Sequence, residues 1–205
     1  MPGEQWIDGV ILAAGASFRA GTFKPALLLG DRSMVERCIE GMYDACDRII
    51  VVGGFEYGHL RSLVERFAKV ESIENKSYQK EMFTSVKAGL FRSRGDRCFV
   101  IPADIPLVPP RVYKQLLTTQ ADVVVPSFRG RNGHPVCLSR VILSRILREP
   151  DDSSLQDILK VIGMRTVEVD AEEILLDVDT PQEYDRIRER FEGKSVGKDS
   201  GLQHL

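Results

Sequence analysis

Val10-Ile11-Leu12-Ala13-Ala14-Gly15-Ala16-Ser17-Phe18-Arg19-Ala20-Gly21-Thr22-Phe23-Lys24 is the stretch on which the reading of this chain turns. Its apolar start, Val10 to Leu12, has the length and composition of a short buried strand. The run then breaks into small residues and the glycines Gly15 and Gly21, where a backbone can turn sharply and approach a ligand. Arg19 and Lys24 bring two cations into the same loop. Free backbone N–H groups and positive side chains after a first strand suit a polyphosphate. The spacing is not that of a P-loop, which needs Gly-Lys-Ser/Thr after a first glycine and four residues. Nor is it the Gly-x-Gly-x-x-Gly of a dinucleotide site. Taken alone, the loop also reads as a flexible surface segment with two solvated cations.

The rest of the chain supplies the setting. At 205 residues it suits one medium α/β domain, expected over residues 1–192, with a polar, flexible tail over 193–205. The net charge of −2 points to neither nucleic acid nor a membrane surface, so phosphate binding has to come from locally placed cations. No apolar run approaches a membrane span, and no basic-then-apolar leader opens the sequence, so a cytoplasmic location is expected. Cys38, Cys46, Cys98 and Cys137 are scattered away from the three histidines. They read as reduced, packed thiols rather than zinc ligands.

Strand and helix signals alternate through the first half. Buried strands are expected at Arg48–Val52, Val70–Ile73 and Cys98–Ile101. Helices are expected from the Ser33–Glu36 capping box to about Met42, around Leu60–Phe67, over Met82–Leu90 and from Pro109-Pro110 to Leu117. This order predicts a mostly parallel sheet covered on both faces. In the second half, Arg129-Gly130-Arg131-Asn132-Gly133 reads as a turn, with Asn-Gly as the hairpin signal, between Val123–Val125 and Pro135–Leu138, hence one antiparallel excursion. Helices follow at Val141–Leu147 and Leu155–Ile162, the second capped by Ser153 or Ser154. Thr166–Val169 and Ile174–Val178 read as short apolar strands. A last helix, opened by Thr180-Pro181-Gln182-Glu183, is expected to run to about Phe191.

Ligands of such sheets bind at the carboxyl ends of the strands. Asp104 leaves the fourth strand between two prolines and is expected to face the Gly15–Lys24 loop. An aspartate after a strand is often a turn former or helix cap. Beside two cations, a metal ligand is the better reading, because Mg²⁺ takes one or two carboxylates and leaves its other positions to water and phosphate. Asp177 and Asp179, expected at the end of a late strand, are both candidates for a second carboxylate. Asp179 also precedes a helix, whose positive end it would favour.

These segments together resemble the MobA-like nucleotidyltransferases, and most closely the molybdenum cofactor cytidylyltransferases. Leu12-Ala13-Ala14-Gly15 with Ser17, Arg19, Gly21 and Lys24 is similar to their signature loop. Met82-Phe83-Thr84-Ser85 with Ala88-Gly89-Leu90 resembles their nucleobase-side segment, and Pro102-Ala103-Asp104-Ile105-Pro106-Leu107-Val108 their metal motif. Gly133-His134-Pro135-Val136 and Asp177-Val178-Asp179-Thr180-Pro181 resemble two later motifs. The resemblance implies a Rossmann-like three-layer α/β/α fold of the nucleotide-diphospho-sugar transferase type, mostly parallel with one antiparallel strand. It implies transfer of a nucleoside monophosphate to a phosphorylated acceptor with release of pyrophosphate. By the same resemblance, Leu12, Ala13, Ala14, Gly15 and Ser17 hold base and phosphates, and Arg19 and Lys24 hold the triphosphate as catalytic cations. Asp104 binds Mg²⁺ with Asp177 or Asp179, Thr84 and Ser85 lie near base or ribose, and His134 lies near the acceptor. Four positions bear on the pattern. Ala20 stands where methionine is usual, Ala103 where glycine is usual, and Glu81 where glycine is common. Ala14 points to the cytidylyl rather than the guanylyl branch.

The expected function is therefore transfer of CMP from CTP to a molybdopterin-type cofactor, serving a molybdenum hydroxylase or its maturation factor. Two alternatives stay open. One keeps the chemistry with a sugar phosphate or other small phosphorylated acceptor and CTP, GTP or UTP. The other is a non-catalytic protein that binds nucleotide or cofactor and delivers it.

Overall fold

The structure, a computed structural model, describes residues 5–15 and 23–199, with side chains as far as residue 192. In chain order its strands are β1 (Ile7–Ala13), β2 (Leu28–Leu29), β3 (Arg32–Ser33), β4 (Arg48–Gly53), β5 (Val70–Glu74), β6 (Arg97–Pro102), β7 (Val123–Phe128), β8 (Arg131–Asn132), β9 (Val136–Ser139) and β10 (Arg165–Glu168). The helices are α1 (Met34–Met42), α2 (Tyr57–Val64), α3 (Met82–Arg92), α4 (Pro110–Leu117), α5 (Arg140–Ile146), α6 (Leu155–Ile162) and α7 (Pro181–Asp199).

The main sheet has the order β10-β7-β9-β6-β1-β4-β5, with β8 paired to β7. β1 is central, parallel to β4 on one side and to β6 on the other, with Leu12 level with Val52 and Pro102. β9 runs antiparallel to both β6 and β7, so the sheet is mostly parallel with an antiparallel insertion, as the element order predicts. Alternation along the strands divides the core into two layers. Ile11, Ile49, Val51, Phe99 and Ile101 pack against α1, α2 and α4. Val10, Ile50, Val52, Val100 and Val136 pack against α3, α5 and α6. The result is a Rossmann-like three-layer α/β/α fold. A smaller cluster of Leu29, Met34, Val178 and Ile187 ties the β2–β3 ribbon to α7.

Local signals behave as chemistry dictates. The Ser33 N–H donates to Glu36 Oε2 at 2.7 Å, and Thr180 N–H to Glu183 Oε2 at 2.8 Å, forming the expected capping boxes. Ser154, rather than Ser153, caps α6, accepting from Asp157 N–H at 3.4 Å. All four cysteines are free and buried, and burial pushes the Cys137 thiol up to about 11. No helix among the described residues is long and apolar enough to cross a membrane.

One local expectation is sharpened and two are corrected. Within the expected turn Arg129–Gly133, the tight bend is at Arg129-Gly130, three residues before the Asn132-Gly133 pair, where φ is +51° and +78°. Two successive positive φ values are what a two-residue hairpin requires, and Asn132 instead pairs with Ser127 inside β8. Ile174–Val178 is not a strand: Glu172–Leu175 winds into a 3-10 turn, and Val178 N–H donates to the Asp104 carbonyl at 2.9 Å. Its apolar residues are needed because Ile174 and Val178 are buried, not because they enter the sheet. Finally, α7 continues to Asp199 rather than ending near Phe191.

Candidate active site

The site is built where β1 and β6 end side by side. Leu12 accepts a hydrogen bond from Ala103 N–H at 2.9 Å, one residue before Asp104, so the pairing of the two strands fixes where that carboxylate emerges. The Asp104 carbonyl in turn takes Val178 N–H, which brings Asp177 and Asp179 up to it. Val178 is buried while its two neighbours are exposed, so both aspartates face away from the core. Glu183 steadies this segment by accepting from Asp179 N–H at 2.9 Å. Lys24, at the start of a 3-10 turn held by Pro25, donates to Asp179 Oδ1 at 3.1 Å. Residues from four distant parts of the chain therefore meet: Leu12, Lys24, Asp104 and the pair Asp177 and Asp179.

The electrostatics follow from this crowding. Burial, then the neighbouring carboxylates of Asp179 and Asp177, push Asp104 up to about 6, with Lys24 opposing. Among the described residues no three His, Cys, Asp or Glu side chains are already drawn close enough to enclose a metal. Leu12, Asp104, His134 and Asp177 line one cavity of about 730 Å³. His134 donates its backbone N–H to the Ile174 carbonyl at 3.0 Å, across a cis bond to Pro135. Its Nδ1 is buried without a hydrogen-bond partner. Burial lowers the imidazole's proton affinity, which keeps it neutral at pH 7.

Other candidates fall differently. Ala13 and Ala14 are buried at the end of β1, and Gly15 follows in the open, with nothing near the position of an added Cβ. Ser17 and Arg19 lie outside the described residues, as do Ala16 and Gly21. Thr84 and Ser85 stand in the first turn of α3, but their hydroxyls face inward. Each accepts from the buried Asn75 amide at 2.9 Å. They therefore hold the turn in place, while Glu81, Met82 and Phe83 present it to the cavity.

Two features escape a reading of the sequence. Asn75 reads as part of a polar connection, yet it anchors α3. The far wall of the cavity comes from Ser153–Gln156, Leu159 and Met164, around α6. The only sequence signal for that wall is an amphipathic helix, which says which face is buried and not that it borders a cavity.

Residues 9–169 match the MobA-like NTP transferase domain. The molybdenum cofactor cytidylyltransferase of Escherichia coli strain K12 is 28% identical over 186 residues, covering 90% of this chain and 97% of its own. A probable molybdenum cofactor guanylyltransferase of Natranaerobius thermophilus is 26% identical over 132 residues, 60% of this chain and 62% of its own. Among solved structures, Rv0371c of Mycobacterium tuberculosis superimposes with a TM-score of 0.78 at 25% identity, over 90% of this chain and 98% of that one. With Gly15, Asp104 and the late aspartates already brought to one end of a Rossmann-like sheet, these likenesses place the chain in the MobA-like NTP transferase family, as a nucleotidyltransferase.

Proposed function

We propose that the protein transfers CMP from CTP to the phosphate of a molybdopterin-type cofactor and releases pyrophosphate. The observation that carries this reading is the convergence of Asp104, Asp177, Asp179 and Lys24 beside the end of β1, with Asp104 and Asp177 lining the cavity. The base and acceptor are supported by the Escherichia coli cytidylyltransferase, which matches along nearly its whole length, and by Ala14 in the loop.

The residues fit Mg²⁺. Three carboxylates gathered so that Asp104 resists ionisation are what a divalent cation relieves, and two suffice for Mg²⁺. Asp104 would hold it with Asp177 or Asp179. When bound, the ion supplies charge neutralisation to the triphosphate. Lys24 offers its ammonium to the same phosphates, exchanging Asp179 for a phosphate oxygen. Arg19 is proposed as the second cation, and the Leu12–Ser17 backbone as the phosphate cradle.

The acceptor's phosphate oxygen attacks the α-phosphorus, and the bond to the bridging oxygen of the β-phosphate breaks. No protein base is required, since a phosphate monoester with a second pKa near about 6 is mostly ionised at neutral pH. The protein's task is alignment, with the cavity holding the acceptor and Lys24 opposing charge on the departing pyrophosphate. His134 borders the acceptor's side of the cavity as a neutral group. The product would pass to a molybdenum hydroxylase or its maturation factor in the cytoplasm.

The test is pyrophosphate release with Mg²⁺, each of four nucleoside triphosphates and a panel of phosphorylated acceptors. Release with CTP and molybdopterin is expected. Release only with a sugar or alditol phosphate would move the chain to another acceptor, and tight nucleotide binding with no release would make it a binding protein.

A further inference from the structure

We propose that Glu81 reads the nucleobase: its carboxylate accepts a hydrogen bond from the exocyclic amine of cytosine and repels the oxygen that uracil carries at the same ring position. The inference rests on the proposed binding of a nucleoside triphosphate beside β1.

Glu81 occupies the cap position of α3 yet does not cap it. The short acceptors of Asp, Asn, Ser or Thr turn back onto the free N–H groups of a first turn; the longer glutamate here does not. Here the Thr84 N–H donates to the Glu81 main-chain carbonyl at 3.0 Å, and the Thr84 hydroxyl donates to the same oxygen at 2.9 Å. The carboxylate is left exposed, without a hydrogen bond or ion pair among the described residues, and it lines the same cavity as Leu12 and Asp104. On the α6 wall of the cavity, Lys160 is committed to Asp157 at 3.0 Å. A charged group that serves neither its helix nor a neighbour, on the wall of the site, is available to a ligand.

Its position favours the base. α3 lies directly across β1 and β4, so closely that a Cβ on Gly89 would meet Val10 at 2.4 Å and Val52 at 3.1 Å. Its first turn therefore stands over the end of β1, where Glu81, Met82 and Phe83 share a cavity lining with Leu12. The α6 wall stands on the other side of the cavity, over the β7–β9 half of the sheet. A triphosphate between Lys24 and Asp104 would direct its base under α3 and leave the α6 half for the acceptor. Asn75, by gripping Thr84 and Ser85, fixes the backbone turn from which the Glu81 side chain extends.

The chemistry then discriminates. An ionised carboxylate only accepts hydrogen bonds. Cytosine presents a donor at the 4-position and uracil an acceptor, in rings of nearly the same size, so shape cannot separate them and a carboxylate can. One such contact corresponds to a preference on the order of 10- to 100-fold.

Calorimetric titration of CTP and UTP with Mg²⁺, on wild type, Glu81→Gln and Glu81→Gly, tests this. Wild type is expected to favour CTP by that margin. Glu81→Gln, whose amide both donates and accepts, brings the two within about 3-fold, and Glu81→Gly does the same. Thermal melting checks that both variants fold. A CTP:UTP ratio unchanged in both variants, or absent in wild type, overturns the assignment, as does a raised acceptor KM in Glu81→Gln with base preference intact. A ratio that collapses in a protein releasing no pyrophosphate with any acceptor keeps Glu81 as the base reader and removes the transferase reading instead.

Discussion

Asp104 sits among like charges, with Asp177 and Asp179 brought to it by one backbone hydrogen bond and, among the described residues, Lys24 opposing them. Asp104→Asn keeps the shape and removes the repulsion. It should leave the melting temperature unchanged or raise it by about 2–4 °C, the size of roughly 1 kcal/mol in a chain of this length. Turnover should fall by about 100-fold or more, the usual cost of losing a group that meets transition-state charge. Melting and pyrophosphate release on the same sample check both halves. A loss of stability with activity retained would make Asp104 the turn former that its position after a strand also suggests.

The parallel half of the fold was legible because strand, helix and cap signals are local. Val10–Leu12, Arg48–Val52 and Cys98–Ile101 are short apolar runs, and each became a buried strand. The misreadings have one cause. Asn-Gly is the stronger hairpin pair by composition, but the register of β7 on β9 and β8 decided the turn at Arg129-Gly130. Ile174–Val178 has a strand's composition, but its apolar side chains serve two separate packing clusters. That Asp104 would emerge beside the end of β1 was legible because both follow strands that topology makes neighbours; the loop beyond Gly15 lies outside the described residues. The inward turn of Thr84 and Ser85 was not, since it depends on Asn75. At this scale α3 offers a test. Gly89→Ala gains helix propensity worth about 1 kcal/mol, but its Cβ would strike Val10 at 2.4 Å. A net loss of about 1–2 kcal/mol is expected in urea unfolding, with weaker CTP binding as α3 is pushed off β1. A stabilised variant with unchanged binding would show that α3 does not need this close seat.

Across the whole molecule, β1 divides its labour between its ends. The carboxyl end carries the site, where charges crowd. The amino end is stitched by Asp8, fully buried, which accepts from Ser93 Oγ at 2.9 Å, Arg94 N–H at 2.6 Å, Gly95 N–H at 2.9 Å and Arg48 Nη2 at 3.0 Å. These bonds tie the connection between α3 and β6, and the start of β4, to the central strand. Burial alone would raise this carboxyl's pKa, but Arg48 and the surrounding donors outweigh it and hold it below the ordinary 3.8. The unfolded chain therefore binds the proton more tightly than the native one, and Asp8 contributes stability that is full above 3.8 and is lost as pH falls through the lower native value. Asp8→Asn should cost about 3 kcal/mol at pH 7, or roughly 6–12 °C of melting temperature, because it leaves Arg48 unpaired and turns an amide towards donors. The gap from wild type should be constant from pH 7 to 5 and narrow below about 4, where wild type loses the same charge. Melting curves over that range decide the matter. A gap that stays open at pH 2.5 would mean that Asp8 acts through shape and packing, and that the central strand is held at its amino end by something other than this charge.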